Sequence, residues 1–274
     1  MDLQRCSLSD VARDSILKWS SHEESDHFKW IHQVEPSLGD PAVWRDYYDI
    51  TASKALRELE ASDVWMDVLT AIADFGSAYR AAWGSALVVD PPRLVSKPFN
   101  SIRNKVYRAN VVERAEAPTS AELVTPTNWY SRLGDILRCT IVVSMMDGVA
   151  PLCDAIVASL VARNKTGTWQ YRSKLRGYHA AHLSFDWPLS IVLPSPPPRR
   201  GSLSVEIQVK THLHHVLGQL THDDYALRRS TPSELDSDDW MWRPDGPLFH
   251  PRMLGHVVQF LDGAIVRIKK GDTT

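Results

Sequence analysis

Between residues 203 and 210 the chain reads LSVEIQVK, with Leu203, Val205, Ile207 and Val209 alternating with Ser204, Glu206, Gln208 and Lys210. A period of two is the signature of a strand with unlike faces. The first set belongs to a core, while the second presents a carboxylate, an amide and an ammonium group in a row. Such a strand needs an apolar layer behind it and solvent or a ligand in front. Residues 136–143 (ILRCTIVV) are β-branched and apolar, which predicts a buried strand, and residues 182–187 read as another. Residues 151–162 predict a helix with Pro151 in its first turn. Residues 188–201 carry Pro194, Pro196, Pro197 and Pro198 and predict a turn-rich loop with Arg199 and Arg200 at its tip.

Helical periodicity dominates both ends of the chain. Leu56, Leu59, Val68, Leu69, Ile72, Phe75 and Tyr79 recur mostly at three- and four-residue steps within residues 53–83. A helix from about Thr211 is expected to turn Leu213, Val216, Leu217 and Leu220 inward, and a last helix over residues 252–261 carries Met253, Leu254, Val257, Val258 and Leu261. The order of elements predicts an α/β fold with a mixed sheet and an N-terminal helical extension. We divide it into a helical region (1–90), a mixed α/β domain (91–230) and a C-terminal loop and helix (231–274).

A chain of 274 residues can bury one sizeable core, and its net charge of −2 gives no global field for nucleic acid. The first residues lack the apolar stretch of a secretory signal, and no run reaches membrane-span length, so a cytoplasmic protein without membrane attachment is expected. Cys6, Cys139 and Cys153 have no metal-ligand spacing and read as reduced thiols. Of the ten tryptophans, Trp19, Trp30, Trp44, Trp65 and Trp83 fall in the N-terminal third, where packing is the expected role.

Four separated segments then stand out, in order. They are Lys97-Pro98-Phe99-Asn100-Ser101-Ile102-Arg103-Asn104-Lys105, Gly134-Asp135-Ile136-Leu137-Arg138, Lys174-Leu175-Arg176-Gly177-Tyr178-His179-Ala180-Ala181-His182, and Val205-Glu206-Ile207-Gln208-Val209-Lys210-Thr211, the last followed by His222 and Tyr225. Together they resemble the synthetase pattern of the RelA/SpoT family over about half of the chain. The resemblance implies a nucleotidyltransferase-like synthetase domain that moves the β,γ-diphosphate of ATP to the 3′-hydroxyl of GDP or GTP, making the alarmone (p)ppGpp.

Each segment has a chemical reason. Pyrophosphate transfer is largely positioning plus neutralisation of phosphate charge. Mg²⁺, the implied cofactor, prefers oxygen ligands and commonly takes one or two protein carboxylates. Asp135 and Glu206 are the candidates for metal binding and catalysis, on strands that the resemblance implies are neighbours. Glu206 is also a candidate proton acceptor. Taken as two carboxylates sharing a site, they predict that Asp135→Asn is neutral or stabilising, because repulsion is relieved. Lys97, Ser101 and Lys105 step by four and are expected on one helix face toward the ATP phosphates, with Arg103 and Arg138 beside them. For the acceptor, the resemblance implies Tyr178 as a stacking platform, Lys174 near its phosphates, His182 beside it and Gln208 in support.

The chain departs from the family pattern in places. Arg176 stands where Asn is usual, Val95 stands where the family has an adenine-stacking Arg, and Arg138 comes two places early. These changes bear on base selectivity. Alternatives therefore stay open: a toxin-type synthetase acting on the tRNA 3′ end or making (p)ppApp, and a degenerate nucleotide-sensing module. Either a homo-oligomer or an antitoxin partner is compatible with the sequence. His222-Asp223 invites a metal-phosphohydrolase reading, but the N-terminal region supplies no matching His-Asp partners, so hydrolysis is not expected.

Overall fold

The computed structural model describes residues 41–83, 92–107, 109, 124, 128–174, 177–191, 199–220, 241–246 and 249–271. Helices α1 (Pro41–Glu60) and α2 (Asp63–Trp83) come first, then β1 (Val95–Ser96), α3 (Phe99–Tyr107) and the short α4 (Trp129–Arg132). They are followed by β2 (Leu137–Val143), α5 (Val149–Ala162), β3 (Gly167–Lys174), β4 (Tyr178–Ile191), β5 (Arg199–Thr211), α6 (His212–Leu220) and α7 (Phe249–Lys270). No helix among the described residues is long and apolar enough to cross a membrane.

The strands form one five-stranded sheet in the order β1-β2-β5-β4-β3. β2 and β5 run parallel, and the other pairs are antiparallel. The alternation seen in the sequence decides the faces. Leu203, Val205, Ile207 and Val209 are fully buried with Leu137, Cys139, Ile141, Leu183 and Phe185, and α5 supplies Leu152, Cys153, Ile156 and Leu160 against them. α1 and α2 join the same core through Trp44, Tyr48, Leu59, Trp65, Val68 and Ile72. Trp44 and Trp65 thus take the packing role expected of them; Trp19 and Trp30 lie outside the described residues.

Four expectations are corrected. The helical pattern of residues 53–83 belongs to two helices, interrupted at Ala61 and Ser62, where the Ser62 hydroxyl accepts from the Trp65 amide at 3.2 Å and starts α2. Residues 188–201 are not one loop. β4 continues to Ile191 and β5 begins at Arg199, so Arg199 and Arg200 are strand residues opposite Ile191 and Ser190. Pro188 is tolerated there because β3 pairs β4 only as far as Phe185, so that among the described residues the outer edge of β4 has no ladder partner beyond that point. β3 itself, with polar residues on one face and an edge position, was not anticipated.

The third correction concerns α6, which turns His214 and Leu217 inward, while Val216 and Leu220 are exposed. Its neighbours explain the rotation: the His214 ring lies against His179 of β4 and its Nε2 pairs with Gln259 of α7 at 2.8 Å, so a polar side chain takes the inner position. Lastly, Lys97 is not part of α3. Pro98 follows it and disfavours helical geometry at the preceding residue, so the helix starts at Phe99. The Lys97 amide instead donates to Ile136 O at 2.8 Å, prolonging the β1–β2 pairing.

Candidate active site

The face of the sheet opposite the core is polar, and its register can be read rung by rung. Arg138 of β2 stands opposite Glu206 of β5, which stands opposite Ser184 of β4. On the next rung Thr140, Gln208, His182 and Gln170 line up across four strands. Alternation therefore gathers Glu206, Gln208, His182 and Arg138 on one surface without any loop.

Asp135 enters this surface from the residue pair ahead of β2. Its backbone has φ 58°, the left-handed region that Asp tolerates better than most residues. Both carboxylate oxygens accept from lysines: Oδ2 from Lys97 Nζ and Oδ1 from Lys105 Nζ. Lys105 also donates to Gly134 O at 2.8 Å. Lys97 is buried, and burial lowers its pKa while the hydrogen bond and charge of Asp135 work the other way. Two lysines thus converge on the same carboxylate from different elements, Lys97 from the end of β1 and Lys105 from α3. Ser101 is one turn before Lys105 on that helix.

Glu206 is held by a second network. Its Oε2 lies 3.1 Å from His182 Nδ1, and its Oε1 accepts from Gln208 Nε2 at 2.7 Å. The Tyr178 hydroxyl lies 2.7 Å from His182 Nε2. One tautomer satisfies the chain: the tyrosine donates to Nε2, and Nδ1–H donates to the carboxylate. Burial alone would raise the Glu206 carboxyl. The hydrogen bonds from His182 and Gln208, with the positive charge of Lys105, outweigh it and hold the group at about 2. Lys105 is therefore felt by both carboxylates and ties the two networks together.

Tyr178 follows Gly177, whose φ of 75° makes the turn into β4. The Tyr178 ring meets His182 edge-on, with centroids 5.9 Å apart, and Lys210 Nζ lies 5.3 Å from its centroid. Lys210 was visible in the sequence only as the third member of the polar row of β5; its place over the tyrosine ring is a cross-strand relationship. The side chains of Arg103 and Lys174 lie outside the described residues, as do His222, Asp223 and Tyr225. Among the described residues, no group of three or more His, Cys, Asp or Glu side chains could hold a metal ion.

The arrangement offers two carboxylates, Glu206 on β5 and Asp135 just ahead of the parallel strand β2, with two lysine side chains on Asp135 and an aromatic ring linked through His182 to Glu206. It can counter the charge of a polyphosphate and seat a planar base.

No protein-family model matches the chain, and no curated protein matches it. Solved structures do. Small alarmone synthetase 1 from Bacillus subtilis bound to its product pppGpp is 16% identical, with a TM-score of 0.50 over 82% of this chain and 96% of that one. A further structure of the same Bacillus subtilis enzyme gives 16% identity and a TM-score of 0.50 over 81% of this chain and 94% of that one. At this level of identity the likeness concerns the fold, and it spans nearly the whole of those proteins: the chain has the mixed α/β fold of a small alarmone synthetase.

Proposed function

We propose that this protein is an ATP-dependent pyrophosphokinase that transfers the β,γ-diphosphate of ATP to the 3′-hydroxyl of a guanine nucleotide, making (p)ppGpp. The observation that carries the reading is the meeting of Asp135, Glu206, Lys97 and Lys105 at the polar face of β2 and β5, beside Tyr178. The fold shared with a synthetase whose structure holds pppGpp supports it.

In this reading the acceptor 3′-hydroxyl oxygen attacks the β-phosphorus and its proton passes to water, while the bond from that phosphorus to the α,β-bridging oxygen breaks and AMP leaves. Lys97 and Lys105 neutralise phosphate charge, and Arg138, opposite Glu206, does so from the neighbouring strand. Tyr178 stacks the acceptor base, and His182 couples that ring to Glu206. Glu206, held at about 2, is ionised throughout the neutral range. That suits an anchoring carboxylate better than a strong base, and a loose phosphoryl-type transition state asks for little base strength. Asp135 and Glu206 are oxygen donors of the kind Mg²⁺ takes, and two carboxylates suffice because phosphate and water complete its shell. Bound there, Mg²⁺ would supply further charge neutralisation.

The test is incubation with γ-labelled ATP and GDP, GTP, AMP, ATP or tRNA in parallel. Label on GDP or GTP with equimolar AMP is the expected result. Label only on tRNA or an adenine nucleotide overturns the guanine acceptor, and no labelled acceptor at all overturns the enzyme.

A further inference from the structure

The turn that carries Tyr178 is seated on the C-terminal helix, backbone on backbone. A Cβ built on Gly177 would meet Arg252 O at 2.3 Å and the Gly255 Cα at 3.0 Å. A Cβ built on Gly255 would meet Gly177 O at 2.2 Å and the Gly177 carbonyl carbon and Cα at 2.7 Å. Each of these distances is at or below the limit that real Cβ atoms respect, and every obstructing atom is main chain, so no side-chain rotation relieves them. Two glycines facing one another therefore set the separation between α7 and the start of β4.

The contact continues along both elements. Tyr178 and His182 point to the polar face, whereas His179, between them, points to the other side. There its ring lies 5.5 Å from that of His256 of α7 and 5.0 Å from that of His214 of α6. One turn further along α7, Gln259 holds His214, and Asp262 accepts from the Met146 amide at 2.9 Å. The inner side of α7 includes Arg252, Gly255, His256, Gln259 and Asp262, with Val266 as its buried apolar residue toward the C-terminal end. Its larger apolar residues, Leu254, Val257, Phe260, Leu261, Ile265 and Ile268, are exposed. α7 is thus fastened by close backbone approach and polar contacts, which depend on exact spacing more than a greasy interface does.

We infer that α7, through Gly255, positions the acceptor platform: it holds the Gly177 turn from behind and so sets where the Tyr178 ring stands relative to His182 and Glu206. Gly255 is a positioning residue, and the inference rests on the proposed function for the identity of the acceptor site. The ATP-side groups, Lys97, Lys105 and Asp135, sit just after β1, on α3 and at the approach to β2, on the other side of β5 from this seat in the strand order.

The test compares Gly255→Ala with Gly263→Ala. Both make the same change within α7, but a Cβ at Gly263 meets only the flexible Met146 side chain, at 3.4 Å. Gly255→Ala should raise the acceptor KM at least tenfold and leave the ATP KM within twofold, with Gly263→Ala close to the parent on both. His256→Ala, which removes a ring without adding an atom, should shift the acceptor KM in the same direction by a smaller factor and stands in if Gly255→Ala does not fold. An unchanged acceptor KM, or equal rises in both KM values, overturns the inference. If the parent protein transfers pyrophosphate to no nucleotide, the functional reading falls, and the seat is judged by hydrogen exchange. Amides of Tyr178 and His179 should then exchange at least tenfold faster in Gly255→Ala than in Gly263→Ala, and equal rates overturn the seat as well.

Discussion

The buried ammonium of Lys97 and the carboxylate of Asp135 are hydrogen-bonded to one another across the start of β2, with Lys105 on the other carboxylate oxygen. Asp135 is therefore a counter-ion before it is a ligand. Viewed as one of two repelling carboxylates, its loss would be neutral or stabilising. The structure reverses that expectation, because the nearest charges to Asp135 are positive.

Asp135→Asn should consequently lower stability by about 2–4 kcal/mol, at or below the range for breaking a buried ion pair by removing one partner. Asn accepts the left-handed backbone at this position, so the cost reports the lost charge and not strain. Denaturant unfolding of the variant beside the parent measures it. An unchanged midpoint would mean that Lys97 loses its proton without penalty. Transfer activity should fall by orders of magnitude in the same variant.

Glu206→Gln keeps the shape of the side chain but removes the charge that orders His182 and Gln208. Turnover should drop at least about a hundredfold, with the ATP KM less affected. Because the Glu206 carboxyl sits at about 2, below its ordinary value of 4.5, its contribution to stability is complete above that ordinary value and is lost as pH falls toward 2. Glu206→Gln should therefore flatten the acid limb of the unfolding curve. A variant as active as the parent would remove Glu206 from the site.

Tyr178→Ala should weaken acceptor binding by about 1–3 kcal/mol, the range for base stacking on an aromatic ring. Tyr178→Phe keeps the ring, and the sequence alone predicts a mild effect. The hydrogen bond to His182 Nε2 changes that expectation. Phe leaves the imidazole without this donor, so turnover should fall several-fold, in line with about 1 kcal/mol for a lost hydrogen bond, while the acceptor KM stays near the parent. Steady-state kinetics on both variants separates the two roles. Equal kinetics for Phe and Tyr would mean that the hydroxyl contributes nothing.

The histidine group behind the sheet predicts a pH dependence of stability. Burial, then the neighbouring His214 and His256, lower the pKa of His179 from 6.5 to about 4, and burial lowers His214 as well, against the hydrogen bond of Gln259 and the charge of Asp262. A histidine kept neutral in the fold takes its proton first in the unfolded chain. Between pH 6.5 and about 4 the unfolded state binds more protons, so stability falls as pH is lowered through that window. The slope for one such group is at most about 1.4 kcal/mol per pH unit. Unfolding curves from pH 7.5 to 4.5 should show this decline, and His179→Gln should reduce it. A stability that rises on acidification would contradict the burial of these rings.

Much of this architecture was legible in the residues themselves. The alternation of β5, the apolar run of β2 and the helix after Val149 depend on local periodicity, which a chain cannot hide. The candidate site was legible too, as residue types at motif spacing, because Glu206, Gln208 and Lys210 share a face by covalent geometry alone. What stayed out of reach was every relationship across elements. Pro98 moved Lys97 off the helix and onto Asp135, and a polar partner on α7 rotated α6 so that His214 turned inward and Leu220 outward. Gly255, unremarkable in a helical sequence, meets Gly177 only because the chain returns to the turn before Tyr178. Spacing along the chain determines which groups share a strand or a helix face; only packing in three dimensions decides which backbone a glycine must make room for and which charge a carboxylate answers.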